Sequence, residues 1–332
     1  MRRTRVVGGA IGLGLAGMAG PAALAFGTTH SLGQNAEHER ITRHALACPA
    51  AGRDCFQPAS LDELAGARLS FGAVGAPDRG DLIFQHKAHC DSGDHLDIPG
   101  YAHSAADARA NLDSCRDWAE LNLGKAVVDA GRLVGADGRL KASQIGMPCV
   151  FLGRIGGRAK CDVLQDFGLT LHVSQDFYAH TNWVDRPDPA LPVGPANPPG
   201  LGRSGPAPWI SLRGPATAPP PGLISGCFVA LPETRFCNEG PGGRVKHAAL
   251  NKDEGVIDPA VGGGATVRGR LNDNFRRAVL AAIDDTADKW ALLRERLTRT
   301  YGAARGALMA CAISHDRPET DCGEAPPAVA GR

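Results

Sequence analysis

The fold is decided by residues 171–183, which read Leu-His-Val-Ser-Gln-Asp-Phe-Tyr-Ala-His-Thr-Asn-Trp. Three metal-type side chains, His172, Asp176 and His180, follow one another at intervals of four residues among apolar neighbours. In a helix, at about 100° per residue, these side chains share one face within roughly 80°. The pattern therefore predicts a buried helix over residues 163–182 that presents three ligands on one side.

The spacing of these side chains favours more than one metal ion. The two histidines lie about 12 Å apart along a helix axis, because each residue rises about 1.5 Å. One zinc ion, with nitrogen ligands at roughly 2.0–2.1 Å, has difficulty reaching both, whereas the Asp176 carboxylate between them can bridge two ions. The alternative interpretation of a single His–Asp pair is a satisfied hydrogen bond in the core. Three aligned ligands favour the metal site.

The first 25 residues have the pattern of a secretory signal peptide. Three arginines are followed by an apolar stretch over 6–24, and Ala23-Leu24-Ala25 forms a small-x-small cleavage site before Phe26. We therefore expect export and cleavage between Ala25 and Phe26. Loss of the three arginines would change the formal net charge from +1 to −2. That charge argues against sequence-specific nucleic-acid binding, but not against a nuclease.

All ten cysteines lie after residue 25. An even number in an exported chain predicts disulfides. Because no Cys-x-x-Cys motif occurs, cysteine metal ligands are a poor alternative. Pairing of neighbours along the chain closes modest loops and predicts the bridges Cys48–Cys55, Cys90–Cys115, Cys149–Cys161, Cys227–Cys237 and Cys311–Cys322.

Apolar periodicity predicts one all-α domain over residues 26–316. The helices are expected at 34–47, 105–134, 163–182 and 275–301, with Pro187 ending the third. Residues 187–243 form a Pro/Gly-rich excursion, with twelve prolines between Pro187 and Pro221, which we interpret as a surface loop or a semi-rigid excursion without a core of its own. Residues 317–332 are expected to be a C-terminal tail.

Four other places could complete a metal site. His38 lies in the first turns of the first predicted helix, and cleavage would create an α-amino group at Phe26. A loop dense in carboxylates and imidazoles contains Asp78, Asp81, His86, His89, Asp91, Asp94 and His95. His247 is followed by Asn251, Asp253 and Glu254. A solvated surface is the alternative interpretation of the dense loop.

The motifs resemble those of bacterial zinc-dependent phospholipase C, whose superfamily also contains the P1/S1-type single-strand nucleases. The segment His38-Glu39-Arg40-Ile41-Thr42-Arg43-His44-Ala45-Leu46 is similar to the first helical metal motif of that family, and the His-x-x-x-Asp helix to its central motif. The run over 176–183 is closer to the Het-C-like branch and to secreted actinomycete proteins of the CinY type. The resemblance covers the metal motifs between about residues 26 and 255.

The resemblance implies an all-α fold of the phospholipase C/P1 nuclease type with three metal stations. The first would use Asp78, His89, His172 and a bridging Asp176. The second would use Phe26, through its amino nitrogen and carbonyl, with His38 and Asp176. The third would use His180, His247 and Asp253 or Glu254, because Asn251 replaces the carboxylate of the family. Asp81 and His86 compete with Asp78 and His89 for the first station.

The resemblance implies a secreted zinc-dependent phosphoesterase with two zinc ions and a third at the altered station. Asp78 and Asp176 are the expected catalytic carboxylates, around a water bridged by the metal ions. A phosphoester is the expected substrate, and a phospholipid at a membrane surface is favoured. The alternatives are a P1-type single-strand nuclease and a non-catalytic, metal-stabilised interaction protein of the Het-C-like kind.

Overall fold

In a computed structural model, the chain is described over residues 26–323, except for 31–33, 50–53, 68–69, 152–156, 230–236, 241 and 259. The expected signal peptide and the end of the expected tail lie outside the described residues. The helices are α1 (Glu37–Leu46), α2 (Pro58–Ala65), α3 (His86–His89), α4 (Ala105–Ala130), α5 (Ala159–His180), α6 (His247–Leu250), α7 (Val267–Arg270), α8 (Asn274–Tyr301), α9 (Ala303–Ser314) and α10 (Pro318–Asp321).

The all-α prediction is confirmed: the described residues contain helices, 3-10 turns and isolated bridges, and no strand. Helix α5 is the centre of the molecule, and α4, α8, α9 and α1 pack around it. Within α5 every residue except Asp162 and Gln165 is buried. A helix that is covered on all sides in this way lies in the interior of its domain.

The predicted helix bounds differ from the observed ones by a few residues. Helix α1 is shorter than expected at both ends, and α4 ends at Ala130 rather than at 134. Helix α5 ends at His180, well before Pro187, because Thr181 is extended and its hydroxyl donates to the Phe177 carbonyl. Proline therefore does not end this helix.

A glycine lets the loop before α3 approach α5 closely. A Cβ atom on Gly168 would lie 2.5 Å from Ala73, which is closer than real Cβ contacts. The loop continues to Val74, whose carbonyl accepts from His172, and then to the 3-10 turn Ala76–Asp78. Gly168 thus determines how near Asp78 lies to the ligands of α5.

The Pro-rich excursion does not lie wholly on the surface of the domain. Residues 187–221, all of which are described, form turns without a helix. Their apolar side chains nevertheless enter the main core, where Ala207, Trp209, Ile210 and Leu212 are buried. Burial of these side chains removes apolar surface from water and offsets the entropy lost when an irregular segment is ordered.

The side chain of Asn182 holds this excursion at two places, near residue 199 and at residues 222–224. Its amide donates to the carbonyls of Pro199 and Gly222, and its side-chain oxygen accepts from the amide of Ile224. Asp185 is buried nearby and forms ion pairs with Lys252 at 3.0 Å and Arg268 at 2.8 Å. These contacts hold the end of α5 against the segment that leads to α6.

The five predicted disulfides are confirmed, and they are Cys48–Cys55, Cys90–Cys115, Cys149–Cys161, Cys227–Cys237 and Cys311–Cys322. The bridge between Cys90 and Cys115 joins the end of α3 to α4, directly beside His89. Five disulfides are typical of a protein that folds in an oxidising compartment. The expected tail is partly structured, since α10 lies within it.

Candidate metal centre

Asp176 lies at the centre of a buried group of histidines. Its Oδ2 atom is 3.0 Å from His89 Nδ1 and 3.0 Å from His172 Nε2. Its other oxygen, Oδ1, is 3.1 Å from His38 Nε2 and 3.9 Å from His180 Nε2. One carboxylate therefore faces ligands from α1, α3 and two turns of α5, with a different set at each oxygen.

Asp78 completes the group around His89 and His172. Its Oδ1 atom lies 3.8 Å from His89 Nδ1 and 3.7 Å from His172 Nε2. Asp81 and His86, the competing candidates, are exposed. The structure therefore places Asp78 and His89, rather than Asp81 and His86, against the central helix.

The third predicted station forms around Asp253. Its Oδ1 atom is 3.1 Å from His180 Nε2, and its Oδ2 atom is 3.3 Å from His247 Nε2. Asp253 and His247 are buried, whereas Glu254 is half-buried. Of the two carboxylates that sequence analysis left open, Asp253 is the one that faces both histidines.

The second ring nitrogen of three histidines contacts a backbone carbonyl. His172 Nδ1 lies 2.9 Å from the Val74 carbonyl oxygen, and His180 Nδ1 lies 2.7 Å from that of His89. For His89 the corresponding contact joins Nε2 to the Leu82 carbonyl oxygen at 3.2 Å. Because a carbonyl oxygen can only accept, each of these nitrogens is the donor, and the opposite nitrogen faces the cluster, where it can bind a metal once deprotonated, as in metal-ligating histidines.

Several atoms of the cluster are buried without a hydrogen bond, and they are His38 Nε2, both oxygens of Asp78, Oδ1 of Asp176 and Oδ2 of Asp253. Buried polar atoms are rarely left in this state, so each needs an explanation. Imidazole nitrogens and carboxylate oxygens that converge without hydrogen-bond geometry fit a divalent metal, and this donor set suits zinc. The residues present therefore fit the predicted ions.

The charges of the cluster shift pKa values strongly. Burial alone would lower the pKa of His180, but Asp91, Asp176 and Asp253 outweigh burial and hold that pKa well above its usual range. Burial alone would raise the pKa of Asp176, yet the facing histidines, His172 first, hold it well below its usual range. The site thus presents ionised carboxylates, which offer the negative charge that a divalent cation requires.

Phe26 and Gly27 lie between two of the predicted stations. The buried Phe26 ring contacts the His38 ring edge-on, with centroids 5.8 Å apart. The Gly27 amide donates to the Asp253 carbonyl, and the Gly27 carbonyl accepts from the His38 amide. These contacts bring the backbone at residue 26 close to the cluster, and the role of its amino nitrogen as a ligand stays a prediction.

Sequence analysis did not assign Asp91 or Gln175 to the site. Asp91 is buried, its Oδ1 atom is 3.1 Å from His180 Nδ1, and it shares a ligand-like group with His180 and His247. Its place in the dense acidic loop was a signal for it. Gln175 contacts His38 within the core. Nothing but its position beside Asp176 could have indicated it.

Another group of metal-type residues, Cys311, His315 and Cys322, lies at the end of α9. Its two cysteines form a disulfide. Because a metal binds thiolates and not disulfide sulfurs, this group does not offer a ligand set.

No protein-family model, curated protein or solved structure matches the chain. Among the described residues, no helix is long and apolar enough to span a membrane.

Proposed function

We propose that the chain is a zinc-dependent phosphoesterase that hydrolyses a phosphodiester in the manner of phospholipase C. The observation on which this depends is the Asp176 carboxylate, whose two oxygens face two different sets of histidines. A carboxylate in this position would hold zinc together with both sets of histidines. Zinc bound there would supply Lewis-acid polarisation of a phosphoryl group and activation of a water molecule near neutral pH.

Asp78 is the group that we assign to the attacking water. Both of its carboxylate oxygens are buried without a hydrogen bond, and one of them faces His89 and His172. An acceptor in this place can orient a water molecule and take its proton. Asp176 would fix the positions of the two sets of histidines relative to each other.

The substrate that we favour is a phospholipid, on the strength of the sequence resemblance, with single-stranded nucleic acid as the alternative. The test is a panel of a synthetic phosphocholine ester, a simple aryl phosphodiester and single-stranded DNA. The protein is first stripped with EDTA and then reloaded with zinc. We expect zinc to restore hydrolysis of the phosphocholine ester and not of the DNA. Hydrolysis of the DNA alone would favour the nuclease.

Asp78→Asn separates proton transfer from metal binding. We expect this variant to retain the zinc of the stations that do not contain Asp78 and, with zinc in excess, to lose about 10²–10⁴-fold in turnover, since it keeps an oxygen ligand but lacks a base. Asp117→Asn, an exposed change on α4, is the matched control and should leave both quantities unchanged. Full turnover in zinc-loaded Asp78→Asn would contradict the role of Asp78.

Burial favours a second candidate, a non-catalytic protein stabilised by its metal ions. The histidine ligands are at most 4 % exposed. A substrate needs a path to the metal, whereas a structural ion does not. Zinc-loaded protein that hydrolysed no member of the panel, yet unfolded at a markedly higher temperature than stripped protein, would support this candidate over the enzyme.

A further inference from the structure

Gln175 joins His38 to two hydroxyl groups within the core. Its Oε1 atom lies 2.7 Å from His38 Nδ1. Its amide nitrogen donates to Thr42 Oγ1 at 3.0 Å and to Thr286 Oγ1 at 3.1 Å. All four side chains are buried, and they come from α1, α5 and α8. The contact therefore lies where these three helices meet.

The two hydroxyls bind the nitrogen end of the amide. An amide has two N–H donors on nitrogen and an acceptor on oxygen. Because Thr42 and Thr286 each accept one N–H, the oxygen is left to face His38. His38 Nδ1 must then be the donor, so its proton is held on that nitrogen. The other nitrogen, Nε2, is directed at Asp176 and can bind a metal once it is deprotonated.

His38 differs in this respect from three other histidines of the cluster. His89, His172 and His180 each place one ring nitrogen against a backbone carbonyl, which the fold supplies without any particular side chain. His38 has only a side-chain acceptor of this kind, the Gln175 oxygen. Its tautomer is therefore under the control of residues that can be replaced one at a time.

We infer that Gln175 is a positioning residue that makes His38 a metal ligand, and that Thr42 and Thr286 hold its amide in place. The inference rests on the proposed metal centre and concerns the station that contains His38. Outer partners of metal-ligating histidines fix the tautomer and raise the basicity of the ligand, and their loss typically lowers metal affinity about 10–100-fold. Gln175 need not contact the metal or the substrate to have this effect.

Gln175→Leu and Gln175→Glu test the inference. Zinc affinity is measured by competition with a chromophoric chelator, and Co²⁺ absorption reports the ligand field without any assay of turnover. We expect Gln175→Leu to weaken one zinc equivalent about 10–100-fold and to alter the Co²⁺ spectrum. Gln175→Glu should retain that zinc, because a carboxylate also accepts from Nδ1 and both threonine hydroxyls can turn to donate. Equal zinc loss in both variants would overturn the inference.

A double-mutant cycle with His38→Ala separates positioning from packing. If Gln175 acts through His38, adding Gln175→Leu to His38→Ala should weaken zinc no further, since the two residues belong to one interaction. If Gln175→Leu instead acted by disturbing the packing of the core, the double variant would bind zinc more weakly than His38→Ala alone. Thr170→Val is the matched control, because Thr170 is a buried hydroxyl of α5 that bonds only to the carbonyls of Asp166 and Ala119. It should leave zinc unchanged.

Wild-type protein distinguishes failure of this inference from failure of the proposed function. Less than one zinc equivalent in the wild type would refute the metal centre itself. Full zinc in both wild type and Gln175→Leu would refute only the role of Gln175. If Gln175→Leu does not fold, the variant with Thr42→Val and Thr286→Val provides the test, because it keeps Gln175 and removes what orients it. We expect that variant to weaken zinc severalfold, and unchanged zinc would count against the inference.

Discussion

Among the carboxylates of the cluster, Asp176 faces the most histidines, and the effect of its replacement should be visible at the level of one atom. Asp176→Asn replaces one oxygen with an amide nitrogen that has no lone pair for a metal. We expect the variant to lose about two zinc equivalents, because each oxygen faces a different station. Elemental analysis after mild purification measures this loss.

His180→Ala is the comparison for Asp176→Asn. His180 belongs to one predicted station, where it lies between Asp91 and Asp253. Its Nε2 atom is 3.9 Å from Asp176 Oδ1. Its loss should therefore remove about one zinc equivalent at most. Equal losses in the two variants would show that Asp176 does not bridge.

The backbone nitrogen of Phe26 gives a second prediction at this scale. A free amine, with an unperturbed pKa of about 7.7–8.0, can lose its proton to a metal near neutral pH, whereas an amide nitrogen is a poor donor. Protein that begins at Phe26 should therefore hold about one more zinc equivalent than protein with one extra residue before it.

Phe26→Leu, in protein that begins at residue 26, is the control for that comparison. It keeps the amine and removes the edge-on contacts of the ring with His38 and Phe275. We expect zinc to be retained and stability to fall by about 1 kcal/mol. Equal zinc with and without the extra residue would mean that Phe26 only packs.

Among the elements, those with strong periodicity were the predictable ones. Helices α4, α5 and α8 follow from apolar spacing, and the ligands on α5 follow from the same period. The pairing of cysteines followed from proximity along the chain. Helix α9 was not predicted, because its Ala-rich sequence has no clear polar face and begins directly after Gly302.

The remainder of the site depends on contacts between distant segments, which no local pattern reveals. The choice of Asp253 over Glu254 depends on how the chain returns past α5 after the excursion. The burial of Trp209 depends on a core built elsewhere. Gln175 is identified only by the two threonines that approach it from other helices.

The three side-chain hydrogen bonds of Asn182, just after α5, form a clamp that gives a prediction at the scale of an element. Asn182→Ala leaves the carbonyls of Pro199 and Gly222 and the amide of Ile224 without a partner. Because buried groups without partners are costly, we expect a loss of about 2–4 kcal/mol of unfolding free energy, measured by urea denaturation.

Asn111→Ala is the matched control for the clamp, since the Asn111 side chain donates one hydrogen bond to the carbonyl of Ser92. We expect it to cost about 1 kcal/mol. If Asn182→Ala cost no more than this control, the excursion would be held by its buried apolar side chains and not by the clamp.

At the scale of the whole molecule, the cluster couples stability to pH in opposite ways with and without zinc. In zinc-free protein, burial lowers and the carboxylates raise the pKa values of His38, His89 and His180, and the net shift is upward. Their contribution to stability is therefore full below their unfolded pKa of about 6.5 and is lost as the pH rises through the folded values. The pKa values of Asp176 and Asp253 are lowered. These carboxylates therefore contribute stability above about pH 4, and this contribution is lost in stronger acid.

Zinc reverses the dependence at the upper end of this range. Its ligands must be deprotonated, so protons on the same histidines compete with the metal, and zinc binding strengthens as the pH rises. We therefore expect the difference in Tm between zinc-loaded and EDTA-treated protein to be small near pH 5 and to grow steadily towards pH 8. Thermal unfolding in matched buffers measures it, with Mg²⁺, which prefers oxygen ligands, as the control ion. A zinc-induced shift in Tm of the same size at every pH would show that these histidines do not bind the metal.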